Sequence, residues 1–165
     1  FISDGELVIA TISPSDVSLT TVPSPTDGIN REPAISADGR IVTWLSDDQV
    51  WLAELEPAGT YTTSPVTPET DAILDRPAIS ADGSRIAYVS NGGLFLFDKE
   101  ADLISPIGSV SEARQPSLSA DGTVVAFVAD RDIYVTHSPR ADLAVSKSVT
   151  PDPLVPGLRP RILLS

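Results

Sequence analysis

The chain has no cysteine, no methionine, a single histidine and only 11 basic residues among 165. Each shortage closes off a class of function. Without cysteine there is no disulfide framework and no thiolate metal site, and His137 alone cannot build a usual zinc site. Acidic residues number 23, and the formal net charge of -12 repels nucleic acid and anionic membranes, which are held through clustered cations. No apolar run approaches the roughly 20 residues that span a bilayer, and no charged-then-apolar leader opens the chain. Membrane insertion is therefore not expected. Opening on Phe1-Ile2-Ser3 and lacking methionine throughout, the chain reads as a processed or excised segment. No stretch suggests a long helix.

What is there is a folded composition, 41% hydrophobic with a mean hydropathy of +0.08 in spite of 15 prolines and 10 glycines, and a seven-residue stretch written three times. The copies are Pro33-Ala34-Ile35-Ser36-Ala37-Asp38-Gly39, Pro77-Ala78-Ile79-Ser80-Ala81-Asp82-Gly83 and Pro116-Ser117-Leu118-Ser119-Ala120-Asp121-Gly122. Five residues after each glycine stands an aromatic (Trp44, Tyr88, Phe127), and seven residues later a second (Trp51, Phe95, Tyr134). This is an internal repeat.

Within each copy the residues predict short strands separated by turn chemistry. The proline starts a strand, where a missing N–H matters least, and Asp-Gly then makes the turn. Further strands are expected at 41–45, 50–55 and 61–66 in the first copy, at 86–89, 94–98 and 103–107 in the second, and at 124–128 and 133–136 in the third. Tight turns fall at Asp47-Asp48, Asn91-Gly92-Gly93 and Asp130-Arg131. Phe1 to Ile9 overlays Trp44 to Leu52 without a gap, so the chain opens inside a unit, with strands at 6–12 and 17–22 and a closing loop at 23–28. The repeat prolines, counted through Pro160, recur at spacings of 44, 39 and 44 residues. Four antiparallel strands per unit at that period predict an all-β chain of β-propeller blades, three complete copies plus a split or partial fourth. In each copy Val42 with Trp44, Ile86 with Tyr88 and Val125 with Phe127 share a face, while Leu45, Val89 and Val128 look the other way. Both faces are apolar, as expected where each sheet is covered by neighbours on both sides.

The repeat resembles the WD40-like propeller repeat of TolB-type proteins over about residues 1–138, with Ala where the commoner motif, Ser-Pro-Asp-Gly, has Pro. That resemblance implies blades at 1–30 (partial), 31–75, 76–115 and 116–138 or to 156. A shorter stretch, Ala141 to Gly157, resembles the opening strand of immunoglobulin-like repeat domains of bacterial surface proteins. Residues 139–165 accordingly have two readings: the last strand of one blade and the start of another, or a linker and the start of an immunoglobulin-like stalk module.

Candidate chemistry is sparse. Arg31, Arg76, Arg114 and Arg159 precede the repeat prolines; they form either a basic patch at a channel mouth or ion pairs with carboxylates of adjacent blades, for instance Asp38, Asp82 and Asp121. The acids Asp47-Asp48, Asp130 with Asp132, and Glu69 with Asp71 read either as Ca2+ ligands, although none fits an Asp-x-Asp-x-Asp-Gly loop, or as solvated turn residues. His137 beside Ser138 falls in no nucleophile motif. Gly92-Gly93 and Asp27-Gly28 are turns rather than phosphate cradles, no Gly-x-Ser-x-Gly occurs, and the repeat aromatics read as core before they read as a sugar platform. No catalytic, metal-binding or cofactor-binding residue is assigned, and no cofactor is expected. The expected function is a non-enzymatic scaffold or protein-binding platform in a bacterial surface or secreted protein. Its partners would be proteins, and open strand edges would allow self-association. The rivals are the substrate-gating propeller of a peptidase whose catalytic domain lies elsewhere, and a periplasmic TolB-like adaptor.

Overall fold

The computed structural model describes residues 1–68 and 74–138. Every regular element among them is a β-strand, and the strands form four separate antiparallel sheets in chain order. The first sheet holds β1 (Ile2–Ser3), β2 (Glu6–Ser13) and β3 (Asp16–Val22). The second holds β4 (Asn30–Ile35), β5 (Ile41–Ser46), β6 (Gln49–Leu55) and β7 (Tyr61–Pro65). The third repeats it with β8 (Leu74–Ile79), β9 (Arg85–Ser90), β10 (Gly93–Asp98) and β11 (Leu103–Pro106). The fourth holds β12 (Arg114–Leu118), β13 (Val124–Ala129) and β14 (Asp132–His137). The strands expected among the described residues are present within a residue or two of their sequence limits, with one exception.

That exception is the repeat proline. Pro33 was expected to start its strand, but β4 begins three residues earlier at Asn30, and its pairing with β5 slips between Arg31 and Ala34. The same slip brackets Pro77, between Asp75 and Ala78, and Pro116, between Arg114 and Ser117. Each proline therefore sits in a β-bulge, the other place in a sheet where a missing N–H breaks no ladder bond. Glu32 and Gln115, just before two of the prolines, take positive φ (52° and 49°) to turn the strand there.

The seven-residue aromatic spacing has a geometric cause. Trp44 pairs with Trp51, Tyr88 with Phe95 and Phe127 with Tyr134 across hairpins whose turns are two residues long. In the last two pairs the rings stack with centroids 5.6 Å apart and planes within 16° and 17°, a cross-strand contact of the kind that stabilises sheets.

The core lies between sheets, not within one. Leu7 and Val22 of the first sheet meet Val42, Trp44, Ala53 and Tyr61 of the second. The other face of the second, Ile41, Leu45, Val50 and Leu52, meets Ile86, Tyr88 and Phe97 of the third. Val89, Leu94 and Leu96 of the third meet Val125, Phe127 and Ala129 of the fourth. Alternate residues along each strand thus serve successive boundaries, as the sequence predicts. The readings placed on residues 139–165, the fourth strand of the third copy, the stalk-like stretch and Arg159 among them, lie outside the described residues, as do Glu69 and Asp71.

Candidate binding face

The antiparallel strands bring two kinds of turn to opposite ends of the sheets. At one end are the repeat motifs. Ser36 donates its hydroxyl proton to Asp38 Oδ1 (2.7 Å), the N–H of Arg40 donates to the same oxygen (3.0 Å), and the N–H of Ile41 donates to Ser36 Oγ (3.0 Å). Ser80, Asp82, Ser84 and Arg85 reproduce this, and so do Ser119, Asp121, Thr123 and Val124. Donors aimed at a carboxylate favour its charged form. Asp121 is held down at about 2, chiefly by the Ser119 hydroxyl and then by the Thr123 N–H. Asp82 is lowered first by the Ser80 hydroxyl, Asp38 first by the Arg40 N–H. These aspartates are consumed in their own turns.

The turns are also joined to one another. The N–H of Ala37 donates to the carbonyl of Ala81, and the N–H of Ala81 donates to the carbonyl of Ala120, both at 2.8 Å. At the same end Lys99 pairs with Glu54 of the preceding sheet (2.9 Å). Arg85 reaches Asp98 in its own sheet (3.3 Å), and the Gly122 carbonyl (3.2 Å) and Ser138 Oγ (3.0 Å) in the next. This end is stitched shut.

At the opposite end lie the β1–β2, β5–β6, β9–β10 and β13–β14 hairpin turns and the loops that link sheets, while the β2–β3, β6–β7 and β10–β11 turns lie at the motif end. Asp4-Gly5, Asn91-Gly92 and Asp130-Arg131 all take positive φ at both positions, the backbone of tight two-residue hairpins, and Asp47 does so at its first. The linking loops fold back onto these turns. Ala113 N–H donates to the Gly92 carbonyl (2.9 Å), Gln49 Nε2 to the Thr67 carbonyl (3.0 Å), and Asn30 Nδ2 to the Gly5 carbonyl (2.7 Å). Gly28 lies so close to the Asp47 carboxylate that a Cβ there would overlap it. Asp4, Asp47, Asp48 and Asp130 are exposed acids, with Arg131 the exposed cation of the last turn. An open cleft of about 530 Å³ at the fourth sheet is lined by Glu112, Arg114, Val128, Ala129, Asp130 and Arg131.

No family model and no curated protein matches the chain in sequence. Solved structures do match its fold. TolB from Acinetobacter baumannii superposes with a TM-score of 0.57 at 19% identity, over 73% of this chain and 32% of that one. A putative TolB from Agrobacterium tumefaciens gives 0.59 at 18%, over 82% and 52%. The β-propeller domain of Cps50 (Swd1) from Myceliophteria thermophila gives 0.59 at 12%, over 82% and 51%. The four sheets are β-propeller blades. The chain spans between a third and about half of the length of these propeller structures.

Within the blades the candidate residues disperse. Of the arginines, Arg76 bridges to Glu32 of the preceding blade at 3.1 Å. Its partner is not one of the motif aspartates, which are satisfied by their own serines. Arg31 and Arg114 are exposed and have no ion-pair partner among the described residues. Asp75, in the position that Arg31 and Arg114 hold in their blades, accepts instead from the Gln115 N–H of the next blade (2.9 Å). His137 is exposed on β14, while Ser138 beside it is buried under Arg85. No three His, Cys, Asp or Glu side chains among the described residues are grouped to hold a metal ion, and no described helix could cross a membrane. The inner aromatics Trp44, Tyr88 and Phe127 are buried, while their outer partners Trp51 and Phe95 are half-buried and Tyr134 is 42% exposed.

Sequence reading missed the alanine contacts. The signal was the Ala that replaces Pro in each motif, since only a residue with an N–H can make them. It also missed Asn30, buried between Gly5 and the Trp44 indole, whose Nε1–H donates to Asn30 Oδ1 at 2.9 Å.

Proposed function

We propose that this chain is a non-enzymatic segment of a β-propeller that serves as a scaffold or protein-binding platform, and that its hairpin-turn face makes the contact. One observation carries the reading: the two ends of the blades are built differently. At the motif end Asp38, Asp82 and Asp121 and the three motif turns are spent on internal and blade-to-blade bonds. At the hairpin end Asp4, Asp47, Asp48, Asp130 and Arg131 stand exposed on short, rigid turns. Exposed polar groups on loops fixed by a rigid scaffold are where binding residues concentrate. The extracellular placement belongs to the same proposal and rests on the sequence resemblance of residues 141–157.

The test is capture of proteins from the surface and secreted fraction of source cells by the immobilised chain. Parallel columns carry Asp47→Lys with Asp130→Lys, or the motif-end change Asp38→Asn. A captured protein lost with the first pair and kept with the second supports the reading. Capture that depends on Asp38 instead, or turnover of peptide or ester substrates by the purified chain, overturns it.

A further inference from the structure

The whole chain holds two asparagines, Asn30 and Asn91, and the fold places them in opposite surroundings. Asn30 is buried, its amide donating to the Gly5 carbonyl (2.7 Å) and Ser24 Oγ (3.2 Å), and Arg31 follows it. Asn91 is exposed at the tip of the β9–β10 hairpin, in the blade that has another packed on either side, and Gly92 follows it. The hairpin itself selects that dipeptide. Ser90 pairs with Gly93, which leaves two residues for the turn, and both take positive φ (49° and 79°), the conformation for which Asn-Gly is the preferred pair. Only glycine fits the second position, because a Cβ on Gly92 would lie 2.9 Å from the Glu112 nitrogen. The backbone nitrogen that follows the Asn91 side chain therefore belongs to the residue that shields it least.

We propose that Asn91-Gly92 is a site of spontaneous covalent modification, at which the side-chain amide is lost and the turn is rebuilt as aspartate or isoaspartate. The Gly92 N–H, which makes no hydrogen bond among the described residues, gives its proton to hydroxide, and the nitrogen attacks Asn91 Cγ. The N–Cγ bond forms, the Cγ–Nδ2 bond breaks, and ammonia leaves with a proton from water, closing a succinimide ring. Water then opens the ring at either carbonyl. Opening at Cγ restores the peptide link and gives aspartate; opening at the main-chain carbonyl routes the chain through the side chain and gives isoaspartate. One water is taken up, one ammonia is released, and nothing is oxidised or reduced.

The two products act differently on the fold. Aspartate keeps the backbone and puts a carboxylate at the first turn position, where the other hairpins carry Asp4, Asp47 and Asp130. Isoaspartate adds a methylene to the backbone of a two-residue turn. It loosens the Ser90-Gly93 pairing and the bond from the Ala113 N–H to the Gly92 carbonyl (2.9 Å), which ties the loop before the fourth blade to the third. The Asp-Gly pairs of the three motifs resist the same attack. Asp38, Asp82 and Asp121 are held as carboxylates by their own serines, and a charged carboxylate is a poor electrophile.

The test is incubation of the full chain at mildly alkaline pH, folded and in urea, followed by peptide mass spectrometry. The folded chain is expected to gain about 1 Da on the peptide that holds Asn91 and nothing on the one that holds Asn30, with isoaspartate in the product labelled by an isoaspartyl methyltransferase. Asn91→Asp is expected to show no gain and to keep the circular dichroism of the fresh chain. Ala113 is expected to exchange its amide proton faster in the isoaspartate fraction than in that variant. Asn91 left intact in the folded chain after the urea sample has converted overturns the inference, because the folded turn then withholds the amide. A gain that appears first at Asn30 overturns it too.

Discussion

The backbone N–H of Ala37 donates to the carbonyl of Ala81 across a blade boundary at 2.8 Å, and Ala81 repeats the bond to Ala120 at the next. A side chain as small as alanine is here a backbone device. The commoner proline in this motif forms the same turn but has no proton to donate.

Proline at these positions is therefore a graded test. Ala81→Pro removes the donor to Ala120 and leaves that carbonyl without its partner, while Ala120→Pro removes an N–H that has no acceptor among the described residues. A typical hydrogen bond contributes about 1 kcal/mol net. Urea unfolding is expected to place Ala81→Pro about 1 kcal/mol below Ala120→Pro; equal stabilities would contradict the bond's role.

Two turn positions are expected to respond in opposite directions. Arg131 holds φ +70° without being glycine, a conformation that costs an ordinary residue roughly 1 to 2 kcal/mol. Arg131→Gly is expected to raise stability by about 0.5 to 1 kcal/mol after the entropy cost of glycine. Gly83 holds φ +74°, and a Cβ there would lie 2.5 Å from Ile41 Cδ1 of the preceding blade. Gly83→Ala is expected to cost about 2 kcal/mol or more, read from the same unfolding curves.

Asn30 ties the first blade to the second by accepting from Trp44 Nε1–H and donating to the Gly5 carbonyl. Asn30→Ala strands a buried indole N–H and is expected to cost about 2 to 4 kcal/mol. In a double-mutant cycle with Trp44→Phe the two losses are expected not to add, with a coupling on the order of 1 kcal/mol.

The motif aspartates set an acid limb. Asp121 is held at about 2, and Asp38 and Asp82 are lowered in the same direction. A carboxyl whose folded pKa is depressed contributes stability that is present above its unfolded pKa of about 3.9 and is lost as pH falls through the folded value. Urea midpoints are expected to be level from neutral pH to about 5 and to fall between about pH 4 and 2. Asp121→Ala is expected to flatten part of that fall.

The strands, their hairpin turns and the alternation of faces were legible because each depends on residue type. Asp-Gly and Asn-Gly need not be seen in space to be read as turns, and Trp44 with Trp51 announces a cross-strand pair once the two-residue turn is placed. The bulge at Pro33 was missed because proline tolerates a strand start and a bulge for the same reason, its missing N–H. The Ala37, Ala81 and Ala120 contacts run from backbone to backbone between blades, and their only trace in the sequence is a substitution whose benefit appears when neighbouring motifs are placed side by side. The difference between the two ends of the blades was hidden for a related reason. Asp38 and Asp47 are both turn acids in sequence and both exposed, and only the distances show that Asp38 accepts from Ser36 and Arg40.

The most direct test of the proposed division between a stitched end and a binding end is amide hydrogen exchange of the chain alone and with a captured protein partner bound. The account predicts that Ala37 and Ala81 exchange slowly in both states, and that new protection on binding falls at Asp4-Gly5, Asp47-Asp48, Asn91-Gly92 and Asp130-Arg131. New protection centred on the motif turns at Asp38, Asp82 and Asp121, with the hairpin turns unchanged, would contradict it.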